Sequence, residues 1–279
     1  MGVLNVTPDS FSDGDEYSRA DAAIDRAAAM IREGAAIVDV GPESTRPEAE
    51  PVPPDEQIRR AVPVIERVRS RFADVCLSID TSSSAVARAA LEAGADWIND
   101  VTALRGDARM AALAADTGAP VVLMHMQGTP RNMQHDPHYD DVVSEIAAFL
   151  AARVENAVAA GISRDRLVID PGIGFGKTVE HNVEILRRLG QIAALGPPVM
   201  VGASRKSFLS PVVGGASPRD RLGGSIACAA VAVLAGGRII RGHDVRETVQ
   251  AVRLCNAIRG YSATEIGTAL AADPGAPSG

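Results

Sequence analysis

Short runs of Val, Ile and Leu alternate along this chain with longer stretches rich in Ala, Glu and Arg. The runs fall at 2–6, 36–40, 76–80, 97–99, 121–124, 167–170, 199–201 and 238–241. They are short and apolar throughout rather than alternating, which predicts strands of a parallel sheet covered on both faces. The stretches between them predict helices near 18–34, 55–73, 83–94, 107–117, 140–160, 179–194, 220–235 and 244–258. Gly34, Gly94 and Gly161 end helical stretches just before the next strand, where a left-handed residue closes a helix at little cost to glycine.

Eight β-then-α units in 279 residues predict a single (β/α)8 barrel with about 35 residues per unit. The barrel is expected over 1–272, with the Pro- and Gly-rich 273–279 as a disordered tail. A doubly wound open sheet is the competing architecture. Against it, no GxGxxG follows the first strand. Two βα loops are long: 7–18, reading TPDSFSDGDEYS, and 41–54, reading GPESTRPEAEPVPP. They follow strands 1 and 2 at what would be the catalytic end of the barrel, and are expected to act as lids.

Composition narrows the function. With 46% hydrophobic and 23% charged residues the chain can build a large core and is not a disordered protein. Its net charge of −7 and its 3% aromatic content argue against a nucleic-acid surface. Any anion it binds therefore needs a local cluster of positive groups. Cys76, Cys228 and Cys255 lie far apart and form no CxxC pair, which predicts free thiols in a reducing compartment. No basic-then-apolar leader pattern is present, and no uncharged run reaches about 18 residues. A cytoplasmic location is the default expectation, with neither nucleic acid nor membrane as partner.

In a barrel of this kind the active site lies at the C-terminal ends of the strands. Those ends carry Asn5, Asp39, Asp80, Asn99 with Asp100, Met124 with His125, Asp170, the run Ser204–Arg205–Lys206, and Arg241 with His243. One polar residue there is most often a helix cap; capping does not account for a full ring of them. Asp80, Asn99 and Asp170 offer two carboxylates and an amide, a set suited to a planar heterocycle with several N–H donors. Arg205, Lys206, Arg241 and His243 come from strands 7 and 8, where barrels commonly hold phosphate, and supply the needed local positive field. Asn5 is next to strand 8 in a closed barrel, and its amide oxygen could ligate Mg²⁺ carried by a phosphate. Met124 reads as pocket wall, and the strand end leaves His125 without a definite role. The segment PGIGFGK lacks P-loop spacing; its glycines are expected to let backbone and Phe175 approach a flat ligand.

Seven segments, in this order, resemble the dihydropteroate synthase family: MGVLNVTPDSFSDG (1–14), GPESTRP (41–47), LSIDTS (77–82), INDV (98–101), DPGIGFGKT (170–178), GASRKSF (202–208) and RGHDV (241–245). Together they span essentially the whole chain. The resemblance implies condensation of 6-hydroxymethyl-7,8-dihydropterin pyrophosphate with 4-aminobenzoate. It implies that Asp80, Asn99, Asp170 and Lys206, with Met124 and Phe175 as wall, hold the pterin. Asn5, Thr45, Arg46, Arg241 and His243 would hold the pyrophosphate, and Asn5 its Mg²⁺. Thr45, Arg46, Pro47, Phe175, Lys206 and Ser207 would shape the aminobenzoate pocket, with Phe11 and Asp13 closing over it. Asp80, Lys206, Arg241, His243 and Asp13 are the expected catalytic set. The resemblance further implies a homodimer formed through helices late in the chain, and a sulfonamide target.

The second loop departs from the family's usual GGESTRPG at Pro42 and Glu48. Proline fixes φ and removes a donor, so a stiffer loop root and a changed Michaelis constant for aminobenzoate are expected. A second reading is a pterin-binding methyltransferase on the same barrel, which shares the Asp–Asn–Asp set but has no use for a pyrophosphate grip.

Overall fold

The computed structural model describes residues 1–7, 16–44, 49–215, 217–218 and 220–260. Phe11, Asp13, Thr45, Arg46, Pro47, Glu48 and the expected tail 273–279 lie outside the described residues.

All eight predicted strands form: β1 Gly2–Asn5, β2 Ile37–Gly41, β3 Cys76–Asp80, β4 Trp97–Asp100, β5 Val121–Met124, β6 Leu167–Asp170, β7 Met200–Val201 and β8 Ile239–Ile240. The helices are α1 Glu16–Arg32, α2 Pro54–Arg71, α3 Ser84–Glu92, α4 Met110–Thr117, α5 Val142–Ala159, α6 Val179–Arg187, α7 Leu189–Ala193, α8 Leu209–Val212, α9 Leu222–Leu234 and α10 Val245–Ile258. Strands β1 to β6 pair in sequence order, all parallel, and β7 pairs with β8. Single parallel bridges, Ile169 to Val199 and Gly2 to Gly242, join the two groups at both seams. The ring therefore closes, with Gly242 donating to the Met1 carbonyl at 3.0 Å and Val3 donating to the Gly242 carbonyl at 3.1 Å.

The continuous apolar strands are explained by two separate interiors. Leu77 and Ile79 face outward against α1 to α3, whereas Ile98, Leu123, Leu167 and Ile169 face the later helices. The alternate positions Val122, Val168 and Met200 point into the barrel, packing with Trp97 and Ile239. Going up the same inward rows, Val122 gives way to Met124 and Val168 to Asp170. The polar ends of the strands are thus the top layer of the barrel interior, at the face where such folds place their chemistry.

Beyond shifts of one or two residues, three features of the helices depart from the sequence pattern. The stretch 179–194 is two helices, broken at Arg188 with φ −110° and ψ 20°. The helix expected from 107 begins at Met110, because Asp107 turns its carboxylate back to the backbone amides of Arg109 and Ser84 at 2.9 and 3.0 Å. The short α8 follows β7 and has no periodic signal of its own. The predicted helix-ending glycine before β2 is present, Gly34 having φ +99°.

Candidate active site

Three groups of side chains meet at the C-terminal ends of the strands. The first is buried at the centre. Arg241, one residue beyond β8, donates from Nε to Asp39 Oδ2 at 2.7 Å and from Nη2 to Asp80 Oδ2 at 2.8 Å. Asn99 donates its amide to the same Asp39 oxygen at 3.0 Å. Asp39 and Asp80 are 0% and 6% exposed, and the second oxygen of each is buried without a hydrogen-bond partner among the described residues. Burial pushes Asp80 up to about 7, with Arg241 opposing and Asp39 reinforcing. Burial works against the Arg241 charge too, but the two carboxylates outweigh it and raise its pKa. The cluster is a guanidinium between two acids that keep free acceptor oxygens.

The second group is built on the turn after β6. Asp170 is buried, accepts from the Gly172 amide at 2.7 Å, and is pushed upward in pKa by burial against the pull of Lys206. Lys206 donates to the carbonyl of Ile173, and its ammonium lies 4.5 Å from the centre of the half-buried Phe175 ring. Burial lowers Lys206 to about 8, with Asp170 opposing, so the group is cationic at neutral pH. Met124, Val101, Met126 and Met133 pack with Phe175 as an apolar wall.

The turn's glycines are required by close contacts within the protein. A Cβ on Gly172, at φ +67°, would sit 1.9 Å from the His125 carbonyl, and one on Gly176, at φ +64°, 2.6 Å from the Gln127 carbonyl. These glycines let the β6 turn press against the backbone after β5.

The third group lies towards the outside of the rim. His243 donates its amide to Ser204 Oγ at 3.2 Å, and its ring Nδ1 is 3.1 Å from the same hydroxyl. Arg205, expected as part of the positive field, is instead forked onto Asp244, with Nε to Oδ2 at 3.0 Å and Nη2 to Oδ1. Its charge is spent locally, in a left-handed conformation at φ +59°. Ser207 is exposed at the approach to α8. Asn5 stands opposite Gly41 in the β1–β2 register, half-buried, with its Oδ1 beside that glycine.

The structure therefore brings Asp80, Asn99 and Arg241 into one contact network, and Asp170, Lys206, Phe175 and Met124 into another. Asn5, His243 and Ser207 flank them. Asp39 was read from the sequence only as one polar strand end, yet it holds both Arg241 and Asn99. Its signal was available, a carboxylate inside a run of buried apolar residues. Lys177, at 3% exposed, was missed as well. The second loop is anchored at its root: the buried Pro42 accepts at its carbonyl from Arg60 at 3.0 Å, and Glu43 accepts from the Val52 amide at 2.7 Å.

This geometry has close counterparts among known proteins. The "Pterin binding enzyme" family matches residues 1–243. The chain belongs to that family. It is 46% identical to the dihydropteroate synthase of Escherichia coli K12 over 92% of this chain and 90% of the relative. Its structure resembles that of a Yersinia pestis dihydropteroate synthase solved with a sulfonamide drug, with a TM-score of 0.88, 46% identity and 94% of each chain covered. A Xanthomonas albilineans dihydropteroate synthase solved with 4-aminobenzoic acid gives a TM-score of 0.88 at 45% identity, covering 94% of this chain and 93% of that one.

In this pterin-binding enzyme the β6 turn is the most sterically committed part of the site. Gly172→Ala is expected to cost about 2 kcal/mol or more, from the collision with the His125 carbonyl and the left-handed backbone. Urea denaturation reads the change, and a midpoint equal to that of the parent would contradict this account of the turn.

Proposed function

We infer that this protein is a dihydropteroate synthase, joining 6-hydroxymethyl-7,8-dihydropterin pyrophosphate to 4-aminobenzoate and releasing pyrophosphate. The observation that carries the reading is the set of buried acceptors at the barrel mouth. Asp80 and Asp39 each keep a buried oxygen unpartnered among the described residues, and Asp170 and Asn99 are 4% and 2% exposed beside them. A flat ring presenting several N–H groups satisfies such oxygens; an apolar ligand does not. The relatives at 41–46% identity named as dihydropteroate synthases support the same reading.

Arg241 sits within that acceptor set, between Asp39 and Asp80, Lys206 borders it at Asp170, and we place the pyrophosphate of a bound pterin ester towards His243 and Asn5. The C–O bond at the pterin methylene breaks with its electron pair leaving on pyrophosphate, so cations at that end lower the barrier. The dihydropterin ring and the buried Asp80 stabilise the positive charge left on the methylene. The aniline nitrogen then donates its electron pair to form the C–N bond and gives up a proton to solvent or to the departing pyrophosphate. No covalent enzyme intermediate is required. Phe175, Lys206 and Ser207 border the position of the aminobenzoate. Roles for Phe11, Asp13, Thr45, Arg46 and Pro47 rest on the sequence resemblance alone.

Mg²⁺ fits this arrangement as a cation carried by the pyrophosphate. The ligand we assign to it from the protein is the neutral amide oxygen of Asn5, at the C-terminal end of β1. Mg²⁺ commonly keeps substrate phosphate and water oxygens as its other ligands, and when bound it supplies charge neutralisation of the leaving group.

No helix among the described residues is long and apolar enough to cross a membrane. The three free cysteines support the reducing, cytoplasmic setting we propose. The assembly we propose is a homodimer through α9 and α10. Val231 and Leu234 on α9 and Leu254 and Ile258 on α10 are 45%, 50%, 63% and 67% exposed, an apolar surface on two helices that pack together. Sedimentation should give twice the monomer mass, and a Leu254→Asp/Ile258→Asp double variant should sediment as monomer; a monomeric parent protein would refute the dimer.

The deciding assay is dihydropteroate and pyrophosphate formation from the two substrates with Mg²⁺. Lys206→Ala and Arg241→Ala should each lower turnover about 100-fold, equivalent to about 3 kcal/mol of transition-state stabilisation, and a sulfonamide should compete with 4-aminobenzoate. Pyrophosphate release separates this reaction from pterin-dependent methyl transfer, and a folded parent protein that forms no product would overturn the assignment.

The charge on Lys206 is present below about pH 8 and lost above it. Accordingly kcat/KM for the pterin ester should fall as pH rises through about 8. In Lys206→Arg, whose side chain stays charged, that alkaline limb should be gone, at a lower absolute rate. A limb that persists unchanged in the arginine variant would assign it to another group.

A further inference from the structure

Lys177 has no part in the reaction as derived above, yet it is one of the most deeply placed cations in the molecule. Its ammonium donates to the Phe175 carbonyl at 2.8 Å, lies 3.0 Å from His125 Nδ1, and is 3.5 Å from the His125 carbonyl. All three partners are neutral. His125 is driven down to about 2 by burial, with Lys177 and Arg105 adding to the effect, so its ring carries no charge at neutral pH. With Nδ1 accepting from Lys177, the ring proton sits on Nε2. The His125 ring is wedged edge-on against Phe149, with centroids 4.9 Å apart. Burial also pulls the Lys177 pKa well down, opposed by Asp170. A buried lysine amine whose hydrogen-bond partners among the described residues are neutral acceptors is an expensive feature.

Its geometry shows what it fixes. Four consecutive carbonyls of the β6 turn, 173 to 176, are each taken by a different side chain. Lys206 takes Ile173, Gln134 takes Gly174 at 2.7 Å, Lys177 takes Phe175, and Tyr139 takes Gly176 at 2.8 Å. Gln134 and Tyr139 themselves lie on the segment after β5, and Lys177 reaches that segment from the turn, at His125. The residue it holds, Phe175, is the one whose ring lies under the Lys206 ammonium at 4.5 Å. The pterin-facing groups Asp80, Asn99 and Asp170 make no hydrogen bond to Lys177.

We propose that Lys177 is a positioning residue for the second substrate: by tying the Phe175 carbonyl to His125 it sets where the Phe175 ring stands, and with it the aminobenzoate side of the pocket. This rests on the synthase reading of the site. Lys177→Met keeps the length of the side chain and removes its donors. In that variant the KM for 4-aminobenzoate should rise about 10-fold while the KM for the pterin ester stays within about twofold. Lys177→Gln, which can still donate to the Phe175 carbonyl, should recover most of the loss. An unchanged KM for 4-aminobenzoate overturns the proposal. So does a parallel rise of both constants without recovery in the glutamine variant, which is the mark of a merely structural residue. Should the methionine variant not fold, the glutamine variant decides: a rise of about threefold confined to 4-aminobenzoate supports the proposal, and equal constants refute it.

A readout independent of turnover separates this inference from the assigned reaction. The chain has five phenylalanines, and in protein labelled with ¹³C-phenylalanine the Phe175 ring signal is identified by its loss in Phe175→Leu. That signal should shift and broaden in the Lys177 variants while the signals of the phenylalanines away from His125 hold. A Phe175 signal that stays in place sinks the proposal whatever the enzyme catalyses. A shifted signal in a protein that makes no dihydropteroate would count against the reaction alone.

Discussion

The rest of this structure depends on one guanidinium inside the barrel. Arg241 bridges Asp39 and Asp80, residues 202 and 161 positions away in the chain. It is the guanidinium that both buried carboxyls share, and removing one partner of such a cluster typically costs about 3–5 kcal/mol. The contact exists only because the ring closes. The hydrogen bonds that join β8 to β1 are made at Gly242, the residue after Arg241, so the seam and the charge cluster are set by the same few atoms. What the cluster leaves over, two buried acceptor oxygens unpartnered among the described residues, is the feature on which the proposed chemistry rests.

The opposite side of the mouth follows a different rule. There the backbone is the framework, and the turn after β6 is stitched to its surroundings by side chains that claim its carbonyls. Left-handed glycines allow the turn to lie against the segment after β5, and Lys206 reaches over it to face Asp170. Two unlike constructions thus border the same space: a rigid ion cluster from β2, β3 and β8, and a pinned turn from β6 with a cation from the β7 end. A ligand with a polar edge and an anionic leaving group meets acceptors and a cation in each of them, already oriented.

The barrel itself was legible in the chain because its strands are covered on both faces, and an apolar run bounded by helical periodicity has few other readings. Much of the site was legible too, since the residues that end strands in a closed barrel share one rim whatever their spacing. Partner choice was not. The pattern that placed Arg205 and Arg241 together as a positive field could not foresee that Asp244 would take up the first while Asp39 and Asp80 drew the second inward. Nor could it foresee that Gly172 and Gly176 of the β6 turn lie against the backbone after β5.

The sequence by itself determined the order of strands and helices, the end of the barrel that carries polar chemistry, and the kind of ligand that chemistry suits. These follow from local rules, burial periodicity and strand direction, that each segment obeys independently. Only the tertiary structure decided which acid balances which base, that Asp39 belongs to the site, and that Lys177 grips the turn through a neutral histidine. Those outcomes depend on distances of a few ångströms between residues tens to hundreds of positions apart. Such distances are fixed when the ring closes and the side chains pack, and no local pattern along the chain contains them.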